Sequence, residues 1–449
     1  MFSKILILNR GEIAVRIIRT CRELGIATAV VHSDVDKNSM AVRAADEAYP
    51  LPGRTAAESY LNIEEVLAAV RHSKADAVHP GYGLLSENAT FVDRLERETS
   101  ACWIGPPAGV IAMMGDKLTA RRAADAAGVP TVPGSMRAVT DVRPVIEFGE
   151  QYGWPIALKA AFGGGGRGIR IVPNAELAEA GLASAMRESL ASFGRDEIYL
   201  ESYLLRPRHV EIQVLADTLG HAVWLGERDC TVQRRHQKLI EEAPAEGLAA
   251  TVRDQMGRAA LDLVTRSEYT NAGTVEFLYA EGKFYFLEMN TRLQVEHPVT
   301  EMTTGVDLVA QQISIAAGEK LSLTQDRLRY TGHAIEFRIN AERALAGRFL
   351  PSPGTISQMV IPVADRVRWD GGYEAGDEIS QYYDNLIGKL IVHGDNRNDA
   401  IKKASRVLTE LQIEGVPTSV PVHRAVLEDE TFRSDRHHVR WLEDELLPS

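Results

Sequence analysis

The chain has 449 residues, of which 45% are hydrophobic and 25% charged, and its formal net charge at pH 7 is −12. This length predicts roughly two to four domains. The composition excludes a disordered, collagen-like or coiled-coil protein, and the negative charge argues against a nucleic-acid partner.

The N-terminus, the hydropathy and the cysteines indicate a cytoplasmic protein. A strand begins almost at once, at residues 4–8, where a secretory signal would need an apolar region followed by small residues. No apolar run approaches the ~18 residues of a membrane span, so we expect no membrane association. Cys21, Cys102 and Cys230 are too few and too scattered for a disulfide framework or a zinc site.

The first hundred residues alternate between strand and helix patterns. Apolar runs predict strands at Ile5–Leu8, Ala27–Val31 and Ala75–Val78, and helical spacing predicts helices from Ile13 to Leu24 and over Glu64–Val70. This order predicts a doubly wound α/β unit. The G-x-G-x-x-G of a dinucleotide site is missing after the first strand, which excludes a nicotinamide enzyme.

A glycine-rich segment, Phe162–Gly168, lies between the predicted strands Ile156–Lys159 and Ile169–Val172. Glycines let backbone N–H groups approach phosphate oxygens, and Lys159 adds a positive charge. The segment lacks the Gly-Lys-Ser/Thr of a P-loop and opens no helix. It therefore predicts a hairpin flap over phosphates, with a flexible surface loop as the alternative.

Two acidic residues face each other in a predicted hairpin made of Gly273–Leu278 and Phe284–Asn290. If the loop is 281–283, Glu276 lies directly opposite Glu288. Opposed carboxylates repel unless a charge neutralises them. Because the strands are otherwise apolar, the pattern favours a magnesium site over a solvated hairpin face.

Polar side chains alternate immediately afterwards. Asn290 shares the face of Glu288, and an extended backbone would aim Arg292, Gln294 and Glu296 at one place. Arginine offers a fork for a planar anion, glutamine a neutral donor, and glutamate a candidate base. Bicarbonate is such an anion. A surface salt bridge is the alternative, but the nearby Glu288 favours a site.

A basic segment, Gln233–Lys238, supplies positive charge that an acidic protein otherwise lacks. Upstream, His209, Glu211 and Gln213 share one face of a strand predicted over 208–215. Taken singly, each histidine is more often structural than functional. Cys230 has no base pattern around it and is interpreted as a packing residue.

Together these segments resemble the biotin carboxylase family of ATP-grasp enzymes along essentially the whole chain. The matching stretches are Asn9–Ala14, His79–Gly83, Gly115–Lys117, Lys159 with its glycine loop, Pro207–Glu211, Glu227–Cys230, Gln233–Lys238, Glu288–Pro298, Arg338–Glu342 and Leu350–Gly354. Each motif is weak alone, and their number and order carry the resemblance.

The resemblance implies an α/β protein (α+β overall) with an ATP-grasp fold. Its parts are an N-terminal doubly wound α/β domain at 1–115, an ATP-grasp domain at 116–330 with a B-domain lid at about 131–203, and a C-terminal biotin carboxylase domain at 331–449. It also implies a homodimer, with Arg16 and Glu23 as expected contacts.

The implied activity is that of a ligase that forms a C–N bond. ATP, Mg²⁺ or Mn²⁺ and bicarbonate are used to carboxylate biotin on a carrier protein through carboxyphosphate. The resemblance, and the tail at 416–426 and 437–445, place this as the first half-reaction of an acetyl-CoA or acyl-CoA carboxylase. A biotin carboxyl carrier protein or domain and a carboxyltransferase are the expected partners. Because no Ala-Met-Lys-Met-like site occurs before Ser449, the chain is expected to be either a separate subunit or an excised domain of a longer enzyme.

The resemblance assigns roles by position. Lys117, Lys159, Gly165 and Gly166 are expected at the ATP phosphates, Glu201, Tyr203 and Leu204 at the adenine, and His209, Gln233 and His236 at the ribose and phosphates. Glu276, Glu288 and Asn290 are expected to hold the metal, and Lys238, Arg292, Gln294 and the Val295 backbone to bind bicarbonate. Glu296 is the expected base, and Arg338 the residue that stabilises the biotin ureido oxygen.

Three alternatives stay open to different degrees. Another ATP-grasp ligase would not need Arg338 together with Arg292, Gln294 and Glu296, so these residues argue against it. A carboxylase of a small, free, urea-like molecule would have the same bicarbonate site. A catalytically inactive regulatory subunit would be expected to lose one of the charged residues, and none is lost.

Overall fold

The computed structural model describes residues 1–135, 137–161, 168–345 and 348–447. Its N-terminal part is built on a five-stranded parallel sheet with the order β3-β2-β1-β4-β5. The strands are β1 (Lys4–Ile7), β2 (Ala27–His32), β3 (Glu47–Pro50), β4 (Ala77–His79) and β5 (Cys102–Trp103). The helices are α1 (Gly11–Glu23), α2 (Met40–Ala44), α3 (Ile63–Ser73), α4 (Ala89–Glu98) and α5 (Ala108–Gly115).

Both faces of this sheet are buried. Ile5 and Ile7 belong to a core that includes residues of α1, whereas Leu6 and Leu8 belong to a second core that includes residues of α3 and α4. Because successive strand residues point to opposite faces, the apolar run of β1 serves both layers. The predicted doubly wound unit is confirmed, with limits that differ by a few residues.

A smaller antiparallel sheet, with the order β7-β6-β8, forms the region expected to be the lid. α6 (Lys117–Ala126) precedes this region, whose elements are α7 (Val142–Tyr152), β6 (Ile156–Ala160), β7 (Ile169–Val172), α8 (Ala178–Phe193) and β8 (Ile198–Ser202). Lys159 is paired with Tyr199 on one side and Ile169 on the other. Gly165 and Gly166 lie outside the described residues.

The largest element is an eight-stranded antiparallel sheet with the order β13-β12-β9-β10-β11-β14-β21-β19. Its strands are β9 (Arg208–Ala216), β10 (Ala222–Arg234), β11 (Gln237–Ala243), β12 (Asn271–Ala280), β13 (Lys283–Asn290), β14 (His333–Asn340), β19 (Val367–Gly371) and β21 (Leu386–Gly394). The helices α9 (Ala250–Arg266), α10 (His297–Thr304) and α11 (Leu308–Ala316) lie between them in the chain. Strands from both sides of the expected boundary near residue 330 thus share one sheet.

The remaining C-terminal elements are short strands and helices. They are β15 (Glu342–Leu345), β16 (Arg348–Pro351), β17 (Gly354–Thr355), β18 (Gln358–Val360), β20 (Glu378–Ile379), α12 (Arg397–Glu410), β22 (Gln412–Glu414), α13 (Val420–Glu428) and α14 (Glu430–Arg433). The last segment returns to the start of β9: Val439 N donates to Pro207 O, and Arg206 pairs with Glu445 at 3.0 Å. It therefore joins the C-terminal segment to the connection between the three-stranded sheet and the eight-stranded sheet.

The β12–β13 hairpin places Glu276 directly opposite Glu288, as predicted, but its loop length and strand register differ from the prediction. Ala280 faces Lys283, so the loop is one residue shorter than expected, and the extra residue is a bulge at Leu287. A bulge reverses the alternation of side chains beyond it. It turns Glu288 away from the face of Phe286, which is buried in the core.

Arg16, expected at a dimer interface, is turned inward. Its side chain is buried and donates to Glu301 at 2.9 Å and Asp307 at 3.0 Å within the same chain. These carboxylates attract the guanidinium to the core side of α1. Arg16 is therefore not available as a subunit contact, whereas Glu23 is exposed.

Candidate active site

A cavity of about 780 Å³ lies where the N-terminal sheet, the three-stranded sheet and the eight-stranded sheet meet. The predicted residues that line it are Lys117, Lys159, His209, Gln233, His236, Lys238, Glu276, Glu288, Asn290, Arg292, Gln294, Val295, Glu296 and Arg338. Tyr203 and Leu204 lie beyond β8 and are half-buried outside the cavity lining. The fold thus brings side chains from distant parts of the sequence to one place.

Lys238, at the start of β11, is the centre of the charge network. Its ammonium donates to Glu211 at 2.7 Å, Glu276 at 2.9 Å and Glu296 at 2.6 Å. Burial lowers the pKa of Lys238, but Cys230 and the carboxylates around it raise that pKa well above its usual value. Lys238 is therefore a fixed cation that holds several carboxylates together.

Glu296 lies between two cations. Its Oε1 accepts from Lys238, and its Oε2 accepts from Arg338 Nη2 at 2.9 Å. Burial raises the pKa of Glu296, but the nearby cations Lys238, Arg338 and Arg228 have the larger effect together and bring that pKa well below its usual range. The carboxylate is thus ionised, which is the form that accepts a proton.

Glu276 and Glu288 have opposite ionisation tendencies. Glu276 accepts from Asn290 and Gln294 amides at 2.8 Å each, and Lys238 and His209 hold its pKa well below its usual value in spite of burial. Burial and the charge of Glu276 raise the pKa of Glu288. An opposed pair of this kind fits a hard divalent cation with oxygen ligands, which neutralises both carboxylates.

The nucleotide side of the cavity has lysines at two element ends. Lys117 begins α6, whose first turn is capped by Asp116, and burial lowers the pKa of Lys117. Lys159 donates to Glu201, which also accepts from Arg121 Nη1 at 2.6 Å. Glu201 is therefore buried in an ion-pair network behind Lys159.

The segment from Thr291 to Glu296 is not a strand: it bends at Arg292 and turns at Val295 and Glu296, so the predicted extended backbone does not continue to Glu296. Glu296 has φ −81° and ψ 10° and is the residue before α10. The side chains converge nevertheless, because β13 delivers the turn to the cavity and α10 begins there. Lys389 Nζ donates to Val295 O at 2.8 Å and fixes the turn from the opposite side.

Two residues that position the site, Glu87 and Arg228, were given no role from the sequence. Glu87 accepts from Arg292 Nε at 2.9 Å and from Thr291 N at 3.0 Å. Arg228, fully buried on β10, donates to Glu211 at 2.5 Å and to Gln294 at 2.9 Å. Both are far in sequence from the residues they hold. The motif containing Arg228 was a usable hint, whereas Glu87 stands in none.

Comparisons with known proteins agree with this geometry. The family model "Carbamoyl-phosphate synthase L chain, ATP binding domain" matches residues 116–324, which hold the three-stranded sheet and about half of the residues that line the cavity. The fold and the site thus define an ATP-grasp enzyme.

Two further models, "Biotin carboxylase, N-terminal domain" and "Biotin carboxylase C-terminal domain", match residues 1–111 and 336–444. The chain is 48% identical over 447 residues to a biotin carboxylase of Haemophilus influenzae, covering 99% of both. It is 47% identical to the biotin-dependent acyl-coenzyme A carboxylase alpha3 subunit of Mycobacterium leprae, covering 99% of this chain and 74% of that one. The chain belongs to the biotin carboxylase family.

A crystal structure supports the same assignment. The biotin carboxylase domain dimer of Hydrogenobacter thermophilus 2-oxoglutarate carboxylase, in complex with MgADP, ADP and bicarbonate, superposes with a TM-score of 0.95. It is 43% identical and covers 99% of this chain and 98% of that chain. The chain is an ATP-dependent carboxylating ligase. Among its described residues, no helix is long and apolar enough to cross a membrane.

Proposed function

We propose that the chain uses MgATP and bicarbonate to carboxylate biotin on a carrier protein, through carboxyphosphate. The observation that carries this proposal is the position of Glu296 between Lys238 and Arg338 at the wall of the cavity. The ionised carboxylate is the form that accepts a proton, and the two cations beside it attract a small anion. The same cations then stabilise the negative charge that develops.

Lys117, Lys159, His209, Gln233 and His236 are proposed from position and charge. The other nucleotide residues are proposed from the family resemblance alone, since Gly165 and Gly166 are outside the described residues and Glu201, Tyr203 and Leu204 are outside the cavity lining. Lys117 and Lys159 contact the phosphates, together with Gly165 and Gly166, and Glu201, Tyr203 and Leu204 border the adenine. His209, Gln233 and His236 lie toward the ribose and phosphates. The two lysines support this assignment, because cations that are partly removed from water attract phosphate oxygens strongly.

Glu276 and Glu288 would hold Mg²⁺ or Mn²⁺, with Asn290 assisting. The cation, when bound, neutralises charge on the transferred phosphoryl group. His209 Nε2 lies 3.0 Å from Glu276 and positions that carboxylate. Asn290 Oδ1 accepts from Arg292 at 2.8 Å, which links the metal residues to the anion residues.

The proposed reaction has two stages, the formation of carboxyphosphate and the carboxylation of biotin. Bicarbonate, held by Lys238, Arg292, Gln294 and the Val295 backbone, gives its proton to Glu296. One of its oxygens bonds to the γ-phosphorus as the bond to the bridging oxygen of ADP breaks, which yields carboxyphosphate. The bond between the carbon and the bridging oxygen of carboxyphosphate then breaks to give carbon dioxide and phosphate. The released phosphate takes the proton of biotin N1′, and N1′ attacks the carbon dioxide. Arg338 stabilises the charge on the ureido oxygen.

The wider context is also a proposal. An acetyl-CoA or acyl-CoA carboxylase is favoured by the similarity to the mycobacterial alpha3 subunit, with a carrier protein and a carboxyltransferase as partners. A homodimer is supported by the dimer of the 2-oxoglutarate carboxylase domain. We also propose the division into 1–115, 116–330 with a lid at about 131–203, and 331–449.

The test is ADP release in MgATP and bicarbonate, with and without free biotin, for the wild type and Glu296→Ala. We expect bicarbonate-dependent turnover that biotin stimulates, and a loss of roughly 100-fold or more in the variant, in line with removal of a general base. Stimulation by urea or a small amide instead of biotin would mean that the acceptor is that molecule and that biotin is the wrong assignment. No turnover with any acceptor would favour a regulatory subunit.

A further inference from the structure

A pair of buried carboxyl groups lies behind Arg338, and the reaction above does not use it. Glu241 on β11 is directly opposite Glu336 on β14. Both are 0% exposed. Side chains in directly opposed positions have Cβ atoms about 4.5–5.5 Å apart, so the two carboxyl groups share one small space.

The two groups lack the partners that buried carboxylates normally have. Glu241 Oε1 accepts from Arg338 Nε at 2.6 Å. Within the described part of the chain, Glu241 Oε2 and both oxygens of Glu336 are buried without a hydrogen-bond partner. Ionised oxygens without donors are strongly disfavoured in such a place. A shared proton gives each carboxyl group a partner in the other.

Charged side chains surround the Glu241–Glu336 pair, and they come from β11, β14, β21 and the turn before α10. Arg338 stands two residues from Glu336 on the same face of β14, and Lys389 lies opposite Arg338 on β21. Glu296 approaches from the turn before α10 and Lys238 from β11. Burial raises the pKa of Glu241 to about 7 and that of Glu336 well above its usual value.

We propose that Glu241 is a positioning residue for Arg338, and that Glu241 and Glu336 form a buried carboxyl pair that holds one shared proton. Arg338 Nε is anchored on Glu241 while Nη2 reaches Glu296. When Glu296 takes the bicarbonate proton and becomes neutral, it loosens its hold on Arg338. Glu241 then keeps the guanidinium aimed at the cavity. This inference rests on the proposed function.

Kinetics of Glu241→Gln test the positioning role, because the amide keeps the shape and removes the charge. We expect the KM for free biotin to rise about tenfold, or kcat with biotin to fall about tenfold. This loss should be at least about fivefold greater than the loss of bicarbonate-dependent ADP release in the absence of biotin. An equal loss in both reactions, or no loss, overturns the role. If the wild type shows no biotin stimulation, the proposed function fails instead.

Infrared spectroscopy tests the shared proton independently of activity. At pH 8, the wild-type minus Glu336→Gln difference spectrum should contain the carbonyl stretch of a protonated carboxyl group. Glu242→Gln is the matched control, because Glu242 is the next residue on β11, is held by Arg397 and His333, and has a pKa well below its usual range. Its difference spectrum should lack that band. Absence of the band for Glu336→Gln overturns the shared proton.

Discussion

At the scale of single residues, Lys238 determines how so many carboxylates share one buried place. It contacts Glu211, Glu276 and Glu296, which come from three separate segments of the chain. Desolvating charges is costly, and removing one partner leaves the others uncompensated. The site is therefore assembled around this cation.

Replacing Lys238 with methionine should destabilise the protein by about 3–5 kcal/mol at pH 8, because buried carboxylates lose their counter-charge. The loss should shrink at lower pH, where those carboxylates take up protons in the variant. Urea denaturation at pH 8 and pH 6 measures both effects.

Lys403→Met is the control for this change. Lys403 pairs at 3.0 Å with Asp399 on the surface, with 28% of its side chain exposed, and an exposed pair of this kind contributes less than about 1 kcal/mol. Equal losses in the two variants would contradict the central place of Lys238.

The sequence predicted the residues that offer chemistry and missed those that hold them. Glu276, Glu288, Arg292, Gln294 and Glu296 stand in local patterns whose spacing follows from strand geometry. Glu87 and Lys389 act across contacts of long sequence separation. No local period connects them with their partners, so only the fold reveals them.

At the scale of elements, the sequence predicted which residues of the β12–β13 hairpin face each other at Glu276 and Glu288, but not the loop length or the bulge. The opposition of Glu276 and Glu288 depends only on the number of residues between them. A three-residue loop and a two-residue loop with one bulge satisfy it equally. Sequence could not distinguish these, because the position of a bulge depends on packing across the sheet.

Close packing of α1 against the C-terminal part gives a second prediction. A Cβ at Gly372 would lie 2.5 Å from the Glu12 backbone nitrogen and 2.7 Å from the Gly11 carbonyl carbon. Gly372→Ala should therefore destabilise the protein by about 1–3 kcal/mol. Gly109→Ala in α5 meets nothing within 4 Å and should be neutral or stabilising by about 0.5–1 kcal/mol. Thermal unfolding in which the two variants behave alike would contradict this packing.

At the scale of the whole molecule, alternating strands and helices predicted the N-terminal α/β architecture. The eight-stranded sheet was not predicted, because strand order is not contained in hydropathy periods. Lys389 on β21 pairs with Glu12 of α1 at 3.2 Å and donates to Val295. The first, middle and last parts of the chain therefore meet at one turn of the site.

The most direct test of carboxyphosphate formation follows one oxygen atom from bicarbonate to phosphate. If bicarbonate attacks the γ-phosphorus, the oxygen that bridges carbon and phosphorus remains on phosphate when carbon dioxide leaves. We predict that ¹⁸O-labelled bicarbonate transfers one labelled oxygen to phosphate in each turnover of the wild type, measured by mass spectrometry. Unlabelled phosphate formed at the full rate would mean that water attacks ATP, and would contradict the carboxyphosphate account.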